Sequence, residues 1–379
     1  MLRPKHGGNL SWAAAVAGCE PQELLDFSAS ISPLGPPASV LQALHDNLAV
    51  LLSAYPNPDY GSLRSCLADY HGLESEWVLP GNGAAELLTW AARDLAGCDR
   101  VYFLTPGFGD YGRSLRAFGA KVEHRPLAVD SLFDSGLSDL EVRAGTDVAA
   151  NWGDAIATLP PLGPQDGMVL NNPHNPTGYL WGAEVVRSRL DQGGLVVVDE
   201  AFMDFLPPEQ QQSVVGWVQA FPNLVVLRSL TKFYSLAGLR LGYALLHPQR
   251  AERWQQWRDP WPVNGLAAIA AEVALKDLAF QQQTWDWLPA ARQVLVSGLR
   301  DLAGLEVYSG CANFLLVRSR HSCVQLQRQL LQRDQILIRD CLSFEGLGDR
   351  FFRIAVRRPE ENQRLLTALG NRFSAVGSP

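Results

Sequence analysis

Uninterrupted apolar runs mark the predicted strands in the middle of the chain. "GLVVVDE" (194–200) and "NLVVLRSL" (223–230) each contain four consecutive apolar residues, without the alternation of a strand that is exposed on one face. Earlier, "WVLP" (77–80), "RVYFLTP" (100–106) and "GMVLNNP" (167–173) each lead through a turn into a helical pattern. Strands of this kind between helices are typical of a mainly parallel sheet that helices cover on both faces. We therefore predict an α/β domain whose ligands bind beyond the carboxyl ends of its strands.

The two ends of the chain differ from this central pattern. Residues 1–37 predict an irregular N-terminal arm around a short helix, closed by the turn-rich "SPLGPP". The large domain is predicted over 38–258, although its first helix, within 38–55, could be shared with a second domain. Residues 259–379 begin with helices and continue with "NFLLVRS", "ILIRD" and "FFRIAVR", which predicts a smaller α+β domain. The stretch 130–166 predicts no regular element.

Composition and charge exclude several classes of function. The chain of 379 residues has a formal charge of −7 and no sizeable basic run, so the electrostatic footprint of a nucleic-acid-binding protein is missing. The apolar runs are too short to span a bilayer. The six cysteines are scattered without a CxxC pair, which favours free thiols in a reducing compartment over a disulfide or zinc framework. We therefore expect a cytoplasmic protein with no membrane, nucleic-acid or metal partner.

Polar residues that could take part in binding or catalysis lie where predicted strands end. Asp199 follows four apolar residues and is either a cap or paired loop acid, or a carboxylate that faces a cationic ligand nitrogen. "GNGAAE" (81–86) opens a helix directly after a strand, where backbone N–H groups bind anions, although it matches neither the Walker pattern nor GxGxxG. "NNPHNPTG" (171–178) places Asn175 in a turn that either donates to a ligand oxygen or is merely rigid.

Lys232 lies among hydroxyl and aromatic residues in "SLTKFYSLAGLRLGY" (229–243). It either extends from a packed edge into water or serves as a nucleophile. A nucleophilic lysine needs its pKa lowered by desolvation or by a neighbouring cation, so that the free amine can form a Schiff base. Arg240, eight residues later, could supply that cation and a phosphate contact together. The order of phosphate turn, asparagine turn, strand-end acid and Ser/Thr-flanked lysine favours the nucleophile.

This ordered set resembles the fold-type-I enzymes dependent on pyridoxal 5′-phosphate, specifically the class I/II aminotransferase group, over nearly the whole chain. The resemblance implies that Lys232 forms the internal aldimine, that Asp199 pairs with the pyridinium nitrogen and that Asn175 bonds the phenolic oxygen. It also implies that Phe108, in "TPGFGDY", stacks on the ring, and that Tyr55 reaches the phosphate from the neighbouring subunit of a homodimer. The implied phosphate ligands within one chain are Asn82, Gly83, Ala84, Ser229 and Arg240.

The N-terminal arm resembles one subfamily in particular. "HGGN" (6–9) and "LLDFSASISPLGPP" (24–37) look like the L-threonine O-3-phosphate decarboxylases of cobalamin biosynthesis, which are close to the histidinol-phosphate aminotransferases. In that subfamily the arm folds over the active site, and arginines on two late strands grip the substrate, since guanidinium groups suit carboxylates and phosphates. The implied substrate contacts are His6, Gly7, Ser30, Asn175, Arg339 and Arg353.

Two departures from the relatives bear on the reaction. Ser30 stands where the decarboxylases usually have asparagine, and because serine is shorter, that substrate contact is either lost or mediated by water. Phe202 stands where histidinol-phosphate aminotransferases usually have tyrosine, which favours the decarboxylase. The resemblance therefore implies decarboxylation of O-phospho-L-threonine to (R)-1-amino-2-propanol O-phosphate, with a histidinol-phosphate or related aminotransferase as the alternative. A non-catalytic effector domain is a third reading, against which the intact Lys232 and Asp199 argue.

Overall fold

The computed structural model describes residues 3–127, 129, 159–308 and 310–373, so most of the stretch 130–166 lies outside the described residues. The described strands are β1 Leu25–Asp26, β2 Val78–Asn82, β3 Arg100–Thr105, β4 Val122–Pro126, β5 Asp166–Asn171, β6 Leu195–Asp199, β7 Leu224–Ser229, β8 Leu241–Leu246, β9 Leu305–Tyr308, β10 Phe314–Ser319, β11 Ile336–Leu337, β12 Arg339–Asp340 and β13 Phe351–Ala355. The described α-helices are α1 Leu10–Ala17, α2 Ala38–Ser53, α3 Gly61–His71, α4 Gly83–Leu95, α5 Gly109–Ala117, α6 Ala183–Leu190, α7 Leu230–Phe233, α8 Pro248–Gln255, α9 Gly265–Ala274, α10 Leu278–Arg300, α11 Cys323–Asp334 and α12 Pro359–Phe373. None of these helices has the length and apolar character that a membrane crossing requires.

A seven-stranded sheet forms the centre of the large unit, in the order β2-β8-β7-β6-β5-β3-β4. β8 runs antiparallel to both of its neighbours, β2 and β7, and the other pairs are parallel, so the prediction of a mainly parallel sheet is confirmed. Register aligns the strand ends, because Asn171 lies opposite Asp199, and Ser229 lies opposite Gly242. The strand-end polar residues therefore meet at one edge of the sheet.

The uninterrupted apolar runs pack on both faces of this sheet. In β6, Val196 and Val198 join one buried cluster while Val197 joins another, and Val226 and Val225 of β7 divide in the same way. Because successive side chains of a strand point to opposite faces, a strand covered on both sides needs apolar residues at every position. This packing accounts for the absence of alternation in the sequence.

The second unit carries both the late arginines and the N-terminal arm. Its antiparallel sheet has the order β12-β13-β10-β9, and Arg339 of β12 lies opposite Arg353 of β13. In the arm, β1 pairs in parallel with β11, and Ala13 of α1 packs on Leu331 and Leu337. The arm thus rests on this small sheet and its helix α11. The β1–β11 pair was not foreseen, since strands of two residues leave no periodicity in the sequence.

Candidate active site

A cavity of about 780 Å³ lies at the carboxyl edge of the large sheet, between that sheet, the small sheet and the arm. Its volume falls in the range that small-molecule and cofactor sites occupy. Most of the residues that the sequence singled out line this one cavity: His6, Gly7, Ser30, Ala84, Phe108, Asn175, Asp199, Ser229, Lys232, Arg240, Arg339 and Arg353. Segments as far apart as residues 6 and 353 therefore contribute to a single site.

Lys232 extends into the cavity from the short helix α7, which Ser229 caps directly after β7. Its Nζ lies 3.5 Å from Ser229 Oγ and 4.9 Å from the centroid of the Phe202 ring. Burial lowers the pKa of the Lys232 amine, and the positive charges of Arg240 and Arg353 lower that pKa further against the opposing effect of Asp199. A lysine whose charged form is disfavoured supplies the free amine that a nucleophile needs.

Asp199 is buried at the end of β6, with 8% of its surface exposed. Its Oδ2 accepts a hydrogen bond of 2.6 Å from the Tyr111 hydroxyl, and its Oδ1 accepts one of 3.0 Å from the backbone N–H of Ala201. The side-chain amide of Asn171 donates to the Asp199 backbone carbonyl at 2.7 Å. These bonds fix the direction of the carboxylate. A carboxylate held in one direction can pair with a ligand nitrogen.

Tyr111 is a site residue that sequence reasoning missed. It lies on α5, three residues after Phe108, lines the cavity and contacts the Phe108 ring edge to face at 5.5 Å. Burial raises the pKa of the Tyr111 hydroxyl, and the negative charge of Asp199 raises it further, so the phenol stays protonated and donates. The segment "TPGFGDY" contained this residue. No local pattern, however, indicates that its hydroxyl would reach the end of β6.

The predicted phosphate turn lies at the start of α4, against Arg240. Gly83 has a φ of +73°, and a Cβ placed on it would lie 2.5 Å from Arg240 Nη2. On the other side, Ser229 Oγ lies 2.7 Å from Thr231 Oγ1. A helix N-terminus, a guanidinium and two hydroxyls thus surround one corner of the cavity, which is the donor set that an anion requires. Asn82 is exposed at this corner and, like Gly83, is not among the cavity-lining residues.

Gly83→Ala is expected to weaken binding of pyridoxal 5′-phosphate about 10-fold, because the added methyl group displaces the Arg240 guanidinium and strains a left-handed backbone. Equilibrium titration of the apoprotein, followed by absorbance, measures the change. Gly119→Ala is the matched control, since Gly119 has a φ of +72° but a Cβ there meets no described atom within 4 Å. Equal affinities in the two variants would contradict a role for the Arg240 contact in binding.

Two buried arginines form the opposite wall of the cavity. The Arg353 guanidinium donates to Asn175 Oδ1 and lies 4.7 Å from the centroid of the Phe314 ring. Arg339 donates to Ser343 Oγ at 2.5 Å and to the Lys5 carbonyl. Burial lowers the pKa of the Arg353 guanidinium to about 10, and the charge of Arg339 adds to that effect. Burial of two neighbouring positive charges costs free energy, so this wall favours a ligand with more than one negative group.

The N-terminal arm covers the cavity between the two sheets. The ring of His6 lies 5.9 Å from the Phe108 ring, so the arm extends from the small sheet to the large one. A Cβ on Gly7 would overlap the Ser28 carbonyl, which explains why glycine follows His6. Ser30 is 6% exposed, and its hydroxyl has no hydrogen-bond partner among the described residues. A buried hydroxyl without a hydrogen-bond partner is destabilising, so we expect the Ser30 hydroxyl to bond a ligand or a water molecule.

Tyr55 does not join the cavity of its own chain. Its side chain is 81% exposed, and its ring lies 4.8 Å from that of Trp261 on the surface. The contact between Tyr55 and a neighbouring subunit's phosphate therefore stays a prediction. The described residues also contain no group of three or more His, Cys, Asp or Glu side chains that could hold a metal ion.

Comparison with known proteins places these features in a family. The model for aminotransferase class I and II matches residues 22–369. The threonine-phosphate decarboxylase of Salmonella typhimurium is 40% identical, over 99% of this chain and 98% of that protein. The crystal structure of L-threonine-O-3-phosphate decarboxylase from Porphyromonas gingivalis has a TM-score of 0.76 at 25% identity, covering 92% of this chain and 99% of that one.

A histidinol-phosphate aminotransferase has the same fold. The crystal structure of this enzyme from Clostridium acetobutylicum has a TM-score of 0.79 at 26% identity, covering 93% of this chain and all of that one. The prediction of a fold-type-I architecture is therefore confirmed. With a family match over almost its whole length, the chain belongs to the class I and II aminotransferase family.

Proposed function

We propose that this protein decarboxylates O-phospho-L-threonine to (R)-1-amino-2-propanol O-phosphate, a precursor for cobalamin, with the help of pyridoxal 5′-phosphate. The observation that carries the proposal is the pair Arg339 and Arg353, which the small sheet places side by side, facing Lys232 across one cavity. A substrate with a carboxylate and a phosphate suits two guanidinium groups. The 40% identity to a threonine-phosphate decarboxylase, which extends over both chains, supports the same reaction.

The residues of the cavity fit this cofactor. The Lys232 amine suits its aldehyde, the Asp199 carboxylate suits its ring nitrogen, and the corner formed by the start of α4 and Arg240 suits its phosphate. The cofactor, when bound, supplies an electron sink for the electron pair that remains when a bond at the substrate's Cα breaks. Asp199, held by Tyr111, would keep the ring nitrogen protonated.

The protein itself would choose which bond breaks by orienting the substrate. Arg353 and Arg339 would bind the carboxylate and the phosphate, with His6 and Ser30 completing the grip from the arm. The closed arm would keep water away from the reacting carbon. The Lys232 Nζ, whose pKa is lowered by burial, would deliver the proton that replaces the carboxylate. Phe202 beside it has no hydroxyl with which to compete.

The deciding assay supplies O-phospho-L-threonine as the sole substrate and measures release of carbon dioxide. We expect release that requires pyridoxal 5′-phosphate and no 2-oxo acid. The second candidate, histidinol-phosphate aminotransferase, is supported by the shared fold and predicts turnover of histidinol phosphate only with 2-oxoglutarate. That result, without release of carbon dioxide, would reverse the assignment. O-phospho-L-serine in the same assay measures the preference between the two phosphoamino acids.

The proposed enzyme is a homodimer in which Tyr55 serves the partner's phosphate site. Exposed apolar residues surround Tyr55, among them Leu52 at 70% and Trp261 at 44% exposure, as an interface would require. Lys232→Ala and Tyr55→Ala subunits, co-expressed, should give mixed dimers with one intact site. We expect activity above the sum of the two variants alone, at about one quarter of wild type for random pairing. Simple additivity would contradict a shared site.

A further inference from the structure

We propose that Arg3 is a positioning residue, whose contacts with Asp340 and Gln327 hold the N-terminal arm closed and thereby set the affinity for the anionic substrate. This inference rests on the proposed function, because the substrate it concerns is the phosphoamino acid of the main cavity. Arg3 would act through the residues that it positions, and not by direct contact with the reacting atoms.

Arg3 is bonded to two buried side chains, Asp340 on β12 of the small sheet and Gln327 on α11. Its Nε donates to Asp340 Oδ2 at 3.2 Å, and its Nη2 donates to Gln327 Oε1 at 2.6 Å. Asp340 and Gln327 are each 4% exposed, and Gln327 Nε2 donates to the Ile338 carbonyl at 2.6 Å. We call these three residues, Arg3, Gln327 and Asp340, the latch. Because Asp340 is buried, removal of its cationic partner would leave an uncompensated buried charge, which costs more than the loss of a surface pair.

The latch is the first of two anchors on the arm, and residues 4–6 lie between them. The second anchor is at Gly7 and Gly8, where the Gly8 N–H donates to Ser28 Oγ at 2.8 Å. Between the anchors, the Lys5 carbonyl accepts from Arg339, and the His6 ring lies near Phe108. If the latch opens, Lys5 and His6 are held only by the second anchor and the Arg339 contact, so this segment becomes less ordered.

The latch also controls charge at the cavity. Asp340 lines the cavity beside Arg339, and Arg3 supplies the positive charge that balances its carboxylate. Without Arg3, that carboxylate would repel an anionic substrate and would compete for the Arg339 guanidinium. Loss of Arg3 should therefore weaken binding in two ways. If Asp340 is replaced with asparagine as well, the effect of its negative charge is removed, and only the loss of the anchor remains.

Steady-state kinetics of Arg3→Gln, Asp340→Asn and the double variant test both effects. We expect Arg3→Gln to raise the KM for O-phospho-L-threonine about 10-fold with kcat changed less than about twofold, because the latch acts on binding. The double variant should recover part of that loss, a non-additive result that shows coupling. Arg318→Gln is the matched control, since Arg318 pairs with Glu306 at 2.7 Å on the same small sheet and does not line the cavity. A fall in kcat with unchanged KM would overturn the proposal.

Limited proteolysis tests the latch without reference to activity. The Lys5–His6 bond lies between the two anchors and follows a lysine, so trypsin can cut it once the arm is released. Mass spectrometry of the holoenzyme without substrate should show this cleavage at least about fivefold faster in Arg3→Gln than in wild type or Arg318→Gln. Equal rates would overturn the latch. If wild type releases no carbon dioxide from O-phospho-L-threonine, the proposed function fails, whereas the cleavage rates still decide whether Arg3 holds the arm.

Discussion

Lys232→Ala is expected to lower carbon dioxide release from O-phospho-L-threonine by about 10⁴-fold or more, since loss of a covalent nucleophile removes the whole pathway that depends on it. The side chain is only half-buried, and the contacts of its Nζ with Ser229 Oγ at 3.5 Å and with the Phe202 ring at 4.9 Å are weak. The fold should therefore survive the substitution. Pyridoxal 5′-phosphate should still bind through Arg240 and the start of α4, but without the absorbance of a covalent adduct and without fixation by borohydride.

Lys121→Ala provides the control, because Lys121 is exposed and does not line the cavity. This variant should match wild type in rate, absorbance and fixation by borohydride. Retention of a reducible adduct in Lys232→Ala would mean that another amine holds the cofactor. Such a result would contradict the role given to Lys232, while the fold and the family would stand.

Asp199→Asn has the second largest expected effect, a loss of about 10³-fold in kcat with little change in KM, because charge stabilisation in the transition state is lost while binding remains. Asparagine keeps the shape of the side chain and an oxygen that can accept from Tyr111, whose hydroxyl now bonds the carboxylate at 2.6 Å. The negative charge is removed, and one of the two oxygens that accept from Tyr111 and from the Ala201 N–H becomes an amide nitrogen. The ring nitrogen should then lose its proton, which weakens the electron sink.

The Asp199→Asn experiment needs a second readout and a control. The absorbance of the bound cofactor across the pH range should differ from wild type, because the protonation of its ring changes. Asp191→Asn, at an aspartate whose side chain is 57% exposed and lies 3.8 Å from Arg187, should change neither rate nor spectrum. A raised KM with unchanged kcat in Asp199→Asn would place this carboxylate in substrate binding, contrary to its proposed role.

Much of the site could be predicted from sequence because its residues follow strand ends. A continuous apolar strand ends where the chain leaves the buried sheet, and the parallel arrangement collects such ends at one edge. Asn175, Asp199 and Lys232 could therefore be grouped without coordinates, and all three line the cavity. The helix over 38–53 also agrees with the helix that apolar periodicity predicts within 38–55.

Other contacts depend on distances through space that no local pattern contains. Tyr111 meets Asp199 only because α5 and β6 approach at the sheet edge, 88 residues apart in the chain. The latch joins Arg3 to Asp340 across 337 residues. No local pattern marks Arg3 as a contact residue. Its contact forms only because the β1–β11 pair and α1 bring the arm onto the small sheet.

The sequence by itself determined the class of fold and the order of the cofactor residues, because apolar runs, turns and strand ends are local properties of the chain. Only the tertiary structure shows which residues of the small sheet and of the arm meet at the cavity. It placed Arg339 beside Arg353 through the register of two short antiparallel strands, and it laid His6 across the cavity towards Phe108. The physical reason is that periodicity encodes burial over a few residues. Register and long-range packing depend instead on how whole elements meet.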